Sequence, residues 1–224
     1  MKQYWSKVWA IVWKDLVSEL RTKDILASVF VFALLIILVF SFAFDPASGN
    51  ANLVAPGILW VAFSFAGVLG LNRSFILEKD GNCLEGLMLC PVDRDVIYIG
   101  KSLASLIFML LAELIVLPIF SALLNLPLLL PQLLLVVVLA TIGFVAVGTL
   151  FSAMSVNTRA REILLPILFF PIVSPVIIAA VKGSAVVLSG GSWSGLWPWL
   201  QMIIAFDIIF AVVSTLTFEH VLEG

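Results

Sequence analysis

The sequence predicts an all-α integral membrane fold with six transmembrane helices and an amphipathic surface helix before them, and three observations carry that prediction. Of 224 residues, 62% are apolar and 12% charged, against roughly 45–50% and 25% in soluble domains. Too few polar side chains exist to cover a water-facing surface. Six runs are long and apolar enough to cross a bilayer, and the positive charge is confined almost entirely to one side of them. The net charge is -2 with a single histidine, which gives nucleic acid no electrostatic hold.

Within residues 1–24, Trp5, Val8, Trp9, Val12, Trp13, Leu16 and Leu20 recur at three- and four-residue spacing, with Lys7, Lys14, Ser18 and Arg21 opposite. This spacing predicts an amphipathic helix lying along the membrane, indoles at the headgroup level and lysines toward anionic lipid. It serves either as a surface anchor or as a specific docking element. The apolar run that follows is too long for a cleaved signal peptide and lacks a small-residue cleavage pattern. It is therefore expected to be retained.

Spans of about 20 residues are expected at 25–44, 53–71, 102–124, 132–155, 163–181 and 198–218. Turn chemistry separates them at Asp45-Pro46, Ser48-Gly49-Asn50, Asn125-Leu126-Pro127, Asn157-Thr158 and Ser189-Gly190-Gly191-Ser192. No connection is large enough for a soluble domain, so 1–224 reads as one transmembrane domain. Eleven of the twelve Lys and Arg residues lie before the first span (Lys2, Lys7, Lys14, Arg21, Lys23), between the second and third (Arg73, Lys79, Arg94, Lys101), or between the fourth and fifth (Arg159, Arg161). Only Lys182 lies on the other side. Positive charge stays cytoplasmic, which places both termini and the charged loops inside and 45–52, 125–131 and 182–197 outside.

Span two carries Ala62, Ala66 and Gly70 at four-residue spacing, a small-residue stripe for close helix packing, within the chain or between two copies. Span five contains Pro166, Pro171 and Pro175, each removing a helix hydrogen bond, and is expected to be kinked or broken. The outer 182–197 segment, with Gly190, Gly191, Trp193 and Trp197, is expected to be a shallow re-entrant or surface segment. Glu113 and Asp207 fall near the middle of spans three and six, where a charged residue costs on the order of 2.5–3.5 kcal/mol on insertion scales. No Lys, Arg or His shares the membrane with them. They are expected to be protonated, or hydrogen-bonded to each other, to serines or to backbone exposed by proline, either as packing elements or in a transport or relay role.

The 72–101 connection is longer than two spans need, and long loops tend to be functional. Phe75, Ile76 and Leu77 precede an Asp80-Gly81 turn, after which Leu84, Leu87 and Met88 share one helical face until Pro91. Two short surface helices are expected, flanked by Glu78, Glu85, Asp93 and Arg94, either resting at the interface or docking a partner. Gly100-Lys101-Ser102 ends like a phosphate-binding loop, but that motif needs a glycine where position 95 is aspartate. No nucleotide site is therefore assigned, any driving ATPase is another subunit, and Lys101 reads as the cation anchoring span three. Cys83 and Cys90 have no histidine nearby, which supports neither a disulfide nor a zinc site. With one histidine, no nucleophilic or metal-ligand constellation is available, and the chain is not read as an enzyme.

Residues 55–94, APGILWVAFSFAGVLGLNRSFILEKDGNCLEGLMLCPVDR, resemble the haem exporter protein B family, membrane permeases of the cytochrome c maturation ABC transporter. The resemblance rests on Pro56-Gly57 with Trp60, Arg73 and Phe75, Asp80-Gly81, and the Leu84 to Leu89 run ending at Pro91. It implies a bacterial inner-membrane permease and a partner ATP-binding subunit that holds ATP and Mg, with two copies in the complex. It also implies that other maturation proteins and a periplasmic haem chaperone act with it. In related permeases the first cytoplasmic loop docks on the ATPase, which would assign Arg73, Phe75, Glu78, Leu84, Glu85, Leu87, Met88, Pro91 and Arg94 to docking. The one histidine, His220, lies at the C-terminus. No haem ligand is therefore assigned to this chain, which favours mechanical coupling over direct haem ligation. Two other readings remain: a proton-coupled secondary transporter using Glu113 and Asp207, and a non-transporting scaffold of the maturation complex.

Overall fold

A computed structural model describes residues 2–44, 51–80, 92–126, 130–156 and 161–221. Seven helices account for nearly all of them: α1 Lys2–Thr22, α2 Asp24–Ala43, α3 Ala51–Asp80, α4 Arg94–Leu124, α5 Pro131–Val156, α6 Arg161–Leu188 and α7 Trp193–Val221. Each of α2 to α7 is long and apolar enough to cross a membrane, and the protein is a multi-pass membrane protein.

Apolarity ends a span without ending its helix. α3 runs nine residues past the expected end of span two and α4 starts eight before span three, because Arg, Glu, Lys, Leu and Ile are adequate helix formers wherever the bilayer stops. At 30 and 31 residues, both helices are about 45 Å long, well beyond the hydrocarbon layer. The first of the two expected short surface helices is therefore the end of α3. The second, with Leu84, Glu85, Leu87, Met88 and Pro91, lies outside the described residues.

α5 is the hub of the bundle. It contacts α3, α4, α6 and α7, and 72% of its spanning stretch is buried against 22% for α2 and for α7. Val136, Val137, Ala140, Phe144 and Val147 of α5 meet Leu71, Phe169, Val173 and Phe206 in the main core. The outer faces of α2 and α7 remain apolar, with Leu35, Val39, Ile208 and Val212 exposed, as lipid-facing surface requires.

Of the two outcomes expected for span five, kinked or broken, the break does not occur, since α6 runs as one helix through Pro166, Pro171 and Pro175. Pro175 has no N–H for the Pro171 carbonyl, and Ser174 Oγ donates to that carbonyl instead, at 2.9 Å. Nor is the 182–197 segment, expected on the outside, a separate element. Residues to Leu188 continue α6, a tight turn follows in which Gly190 adopts φ 73°, and α7 begins at Trp193. Glycine is needed at position 190 because a side chain there would press on its own backbone.

Candidate functional site

The charged end of the bundle forms a second apolar cluster. Val8, Ile11 and Val12 of α1 meet Phe75 of α3, Val96, Ile97 and Tyr98 of α4, Leu150 and Ala153 of α5, and Phe218 of α7. α1 therefore has two apolar faces. Trp5, Trp9 and Trp13, spaced by four, are about 60% exposed and form an outward row, whereas Val8 and Val12 turn inward against α4. The inward stripe continues as Asp15 and Glu19, again at spacings of three and four.

These two carboxylates, absent from the sequence-based assignment, tie α1 down. Asp15 lies 2.9 Å from Lys101 Nζ and 3.1 Å from Lys14 Nζ. Lys101, expected to anchor span three at its loop end, is instead 1% exposed, with its ammonium 5.6 Å from the Phe75 ring centroid. At the far end of α1, Lys23 takes a left-handed conformation, φ 57°, and turns the chain into α2. The backbone amides of Ile25 and Leu26 donate to Glu19 Oε1, both at 2.8 Å, capping α2 from the preceding helix. Burial raises the Glu19 carboxyl above its ordinary value, with the two amide donors opposing that shift. At the near end, Tyr4 OH donates to Asp95 Oδ2 at 2.8 Å. Burial, followed by the Asp95 hydrogen bond, pushes the phenol up to about 12.

Of the residues expected to dock a partner, the described ones take different settings. Arg73 is exposed, with its guanidinium 3.8 Å from Asp24. Arg94 opens α4 and lines a groove with Asp93, Asp95 and Thr215. Phe75, at 1% exposure, packs inside the chain, so a direct contact with a partner is corrected to an internal one. Glu78 falls in the last turns of α3, where only the backbone is described.

Deeper in the bundle, Glu113 and Asp207 approach the same stretch of α5 from different helices. Thr141 Oγ1 lies 2.8 and 3.0 Å from the Glu113 oxygens and 2.8 Å from the Val137 carbonyl. Asp207 packs on Gly143, where a side chain on the glycine would collide with Asp207 Oδ1, and that oxygen has no hydrogen-bond partner among the described residues. Glu113 is thus bonded to a threonine rather than to Asp207. The helices reach this packing through small residues. Ala62 and Ala66 are buried, and a Cβ on Gly70 would come within 2.8 Å of Val29 of α2. Trp60 Nε1 donates to Ser184 Oγ at 3.0 Å, linking α3 to α6. Among the described residues no group of three His, Cys, Asp or Glu is placed to hold a metal.

Comparison with known proteins adds to this geometry. The CcmB protein family matches residues 6–224. Heme exporter protein B of Pseudomonas aeruginosa is 30% identical over 195 residues, covering 85% of this chain and 87% of that protein. Heme exporter protein B of Rhodobacter capsulatus is 28% identical over 172 residues, 75% and 78% of the two chains. The protein of the same name from Haemophilus influenzae is 28% identical over 171 residues, 76% and 77%.

Proposed function

Because the chain belongs to the CcmB protein family, we propose that it is the membrane-spanning permease subunit of an ABC-type haem exporter for cytochrome c maturation. It performs no catalysis itself. An ATP-binding subunit, carrying ATP and Mg, docks on the charged loop between α3 and α4, and the permease converts hydrolysis there into movement of its helices. That movement exports haem or releases a haem-loaded chaperone on the far side.

The observation that supports this reading best is the second apolar cluster. Both ends of the 81–93 connection enter one block: Phe75 at the end of α3, and Val96, Ile97 and Tyr98 at the start of α4. Tyr98 OH donates to the Ala146 carbonyl of α5 at 2.9 Å, and its ring lies 5.1 Å from that of Phe218 on α7. A force applied to the loop is thereby shared by α1, α3, α4, α5 and α7. In this reading the positively charged end is cytoplasmic, the membrane is the bacterial inner membrane, two permease copies assemble with two ATPase subunits, and the other maturation proteins bind at the surface of the bundle.

Coexpression with the ATP-binding subunit tests the proposal. The two chains are expected to copurify in mild detergent, with hydrolysis responding severalfold to the permease and abolished by charge reversal at both Arg73 and Arg94. If no ATPase is retained, or hydrolysis is the same with and without this chain, the ABC reading fails. Haem copurifying stoichiometrically with this subunit alone, and lost on changing one of its own residues, would replace mechanical coupling with direct haem handling.

A further inference from the structure

Ser102, Ser214 and Asp207 hold buried oxygen atoms without a hydrogen-bond partner among the described residues. All three lie where α4, α5 and α7 meet. The Ser102 and Ser214 hydroxyls face the Tyr98 phenol, whose own proton goes to the Ala146 carbonyl of α5 at 2.9 Å. Asp207 Oδ1 lies against Gly143 of the same helix, three residues from Ala146, or about 4.5 Å along the axis. We propose that a small cluster of ordered water fills this junction and joins Asp207 to Tyr98, making the carboxyl a proton-binding site that exchanges with the charged end of the bundle. The site does not depend on the docking of an ATPase.

Unsatisfied oxygen is the first argument. A buried polar group without a partner costs about 1–3 kcal/mol, and in folded proteins such groups are met by protein or by ordered water. A buried water makes about three hydrogen bonds, and this junction offers it the Ser102, Ser214 and Asp207 oxygens. Asp207 and Ser214 share one face of α7, because seven residues are close to two turns. They are 8% and 0% exposed, so neither reaches bulk water by itself.

Access is the second argument. A groove of about 510 Å³ is lined by Val92, Asp93, Arg94, Asp95, Thr215 and Leu216. Thr215 follows Ser214 directly and Arg94 precedes Tyr98 by about one turn of α4, so the groove opens beside the junction. A proton crosses by shifts of hydrogen bonds in which each oxygen accepts one proton and passes on another, leaving no serine or tyrosine charged.

The third argument is electrostatic. A carboxylate in hydrocarbon is costly unless a cation or donors meet it. α5 has no ionisable residue, those of α6 (Arg161, Glu162 and Lys182) lie towards its ends, and Glu219 and His220 lie at the end of α7. On α4, Arg94, Asp95 and Lys101 lie in the first turns, and Glu113 is bonded to Thr141. Among the described residues no charged group acts on Asp207. A proton is the ligand that suits such a place.

Infrared spectroscopy of the full-length chain reconstituted in lipid, in H2O and in D2O, tests the site. A carboxylic-acid carbonyl band is expected that Asp207→Asn removes and that D2O shifts, so that its shift reports exchange of the Asp207 proton. Ser214→Ala and Tyr98→Phe are each expected to slow that exchange about tenfold, the effect of withdrawing one buried hydrogen bond from the path. Ser64→Ala removes a buried hydroxyl of α3 and is expected to leave the rate unchanged. Slowing in either junction variant supports the path. The absence of any band sensitive to Asp207→Asn overturns the site. Unchanged or faster exchange in both junction variants overturns the path, as does equal slowing in Ser64→Ala, which would mark a general opening of the bundle.

Discussion

Glu19 illustrates how much a single side chain decides at the charged end. It is 3% exposed, and it closes α2 by accepting two amide protons from the next helix. Its folded-state value is raised above 4.5, chiefly by burial. The folded chain therefore binds more protons than the unfolded one in the interval above 4.5, and the contribution to stability is fully present below it and lost as pH rises through the folded value. Glu19→Gln keeps an oxygen for the amides and removes the titration, so thermal unfolding in detergent is expected to depend less on pH than in the unsubstituted chain. Parallel curves would show that Glu19 does not titrate differently on folding. Asp15 is the second case. Asp15→Asn takes the carboxylate away from the buried Lys101 ammonium, an expected loss of about 3–5 kcal/mol. The double change Asp15→Asn with Lys101→Met is expected to recover most of it, which a double-mutant cycle of denaturant unfolding measures. Both residues continue the stripe of Val8 and Val12, which only the packing of α1 against α4 showed to face inward. Their partners were not legible in the sequence either, because Lys101 and the α2 amides lie on other helices.

At the scale of helices, α5 holds α4 and α7 through two contacts of opposite kind. Towards α4, Thr141 satisfies the Glu113 carboxyl. Thr141→Val leaves that group without its hydroxyl at nearly constant volume, and about 1–3 kcal/mol of stability is expected to be lost, whereas Thr141→Ser should retain most of it. Towards α7, the contact is steric. Gly143→Ala would drive a methyl into Asp207 and to within 3.0 Å of Phe206, and overpacking of this kind costs about 1–3 kcal/mol. The measurement is the midpoint of thermal aggregation for the purified chain, and an unchanged midpoint for Gly143→Ala would mean that α7 is free to shift. The periodicity of the spans marked Glu113 and Asp207 as exceptional. It could not pair them, because their partners on α5 are 28 and 64 residues away in sequence. Composition left a kink or a break open in α6, and the structure decides against the break, with Ser174 taking up the carbonyl that Pro175 leaves open.

The whole molecule is an asymmetric bundle, with charge and the second apolar cluster at one end and the Gly190 turn at the other. Its orientation is testable in a chain whose Cys83 and Cys90 are changed to serine. A cysteine at Ser192 is expected to react with an impermeant thiol reagent added outside intact cells, and one at Asp93 only after the membrane is opened. The reverse pattern would invert the topology read from the positive charges. The number of spans and the side that carries the cations follow from the sequence alone, because transfer between water and hydrocarbon acts on each segment separately. Tertiary structure decided where helices stop relative to spans, which face of α1 turns inward, that Phe75 and Lys101 are interior, and that α5 is the hub. Those outcomes depend on packing and on ion pairs between segments far apart in the chain, and neither leaves a periodic trace in any one of them.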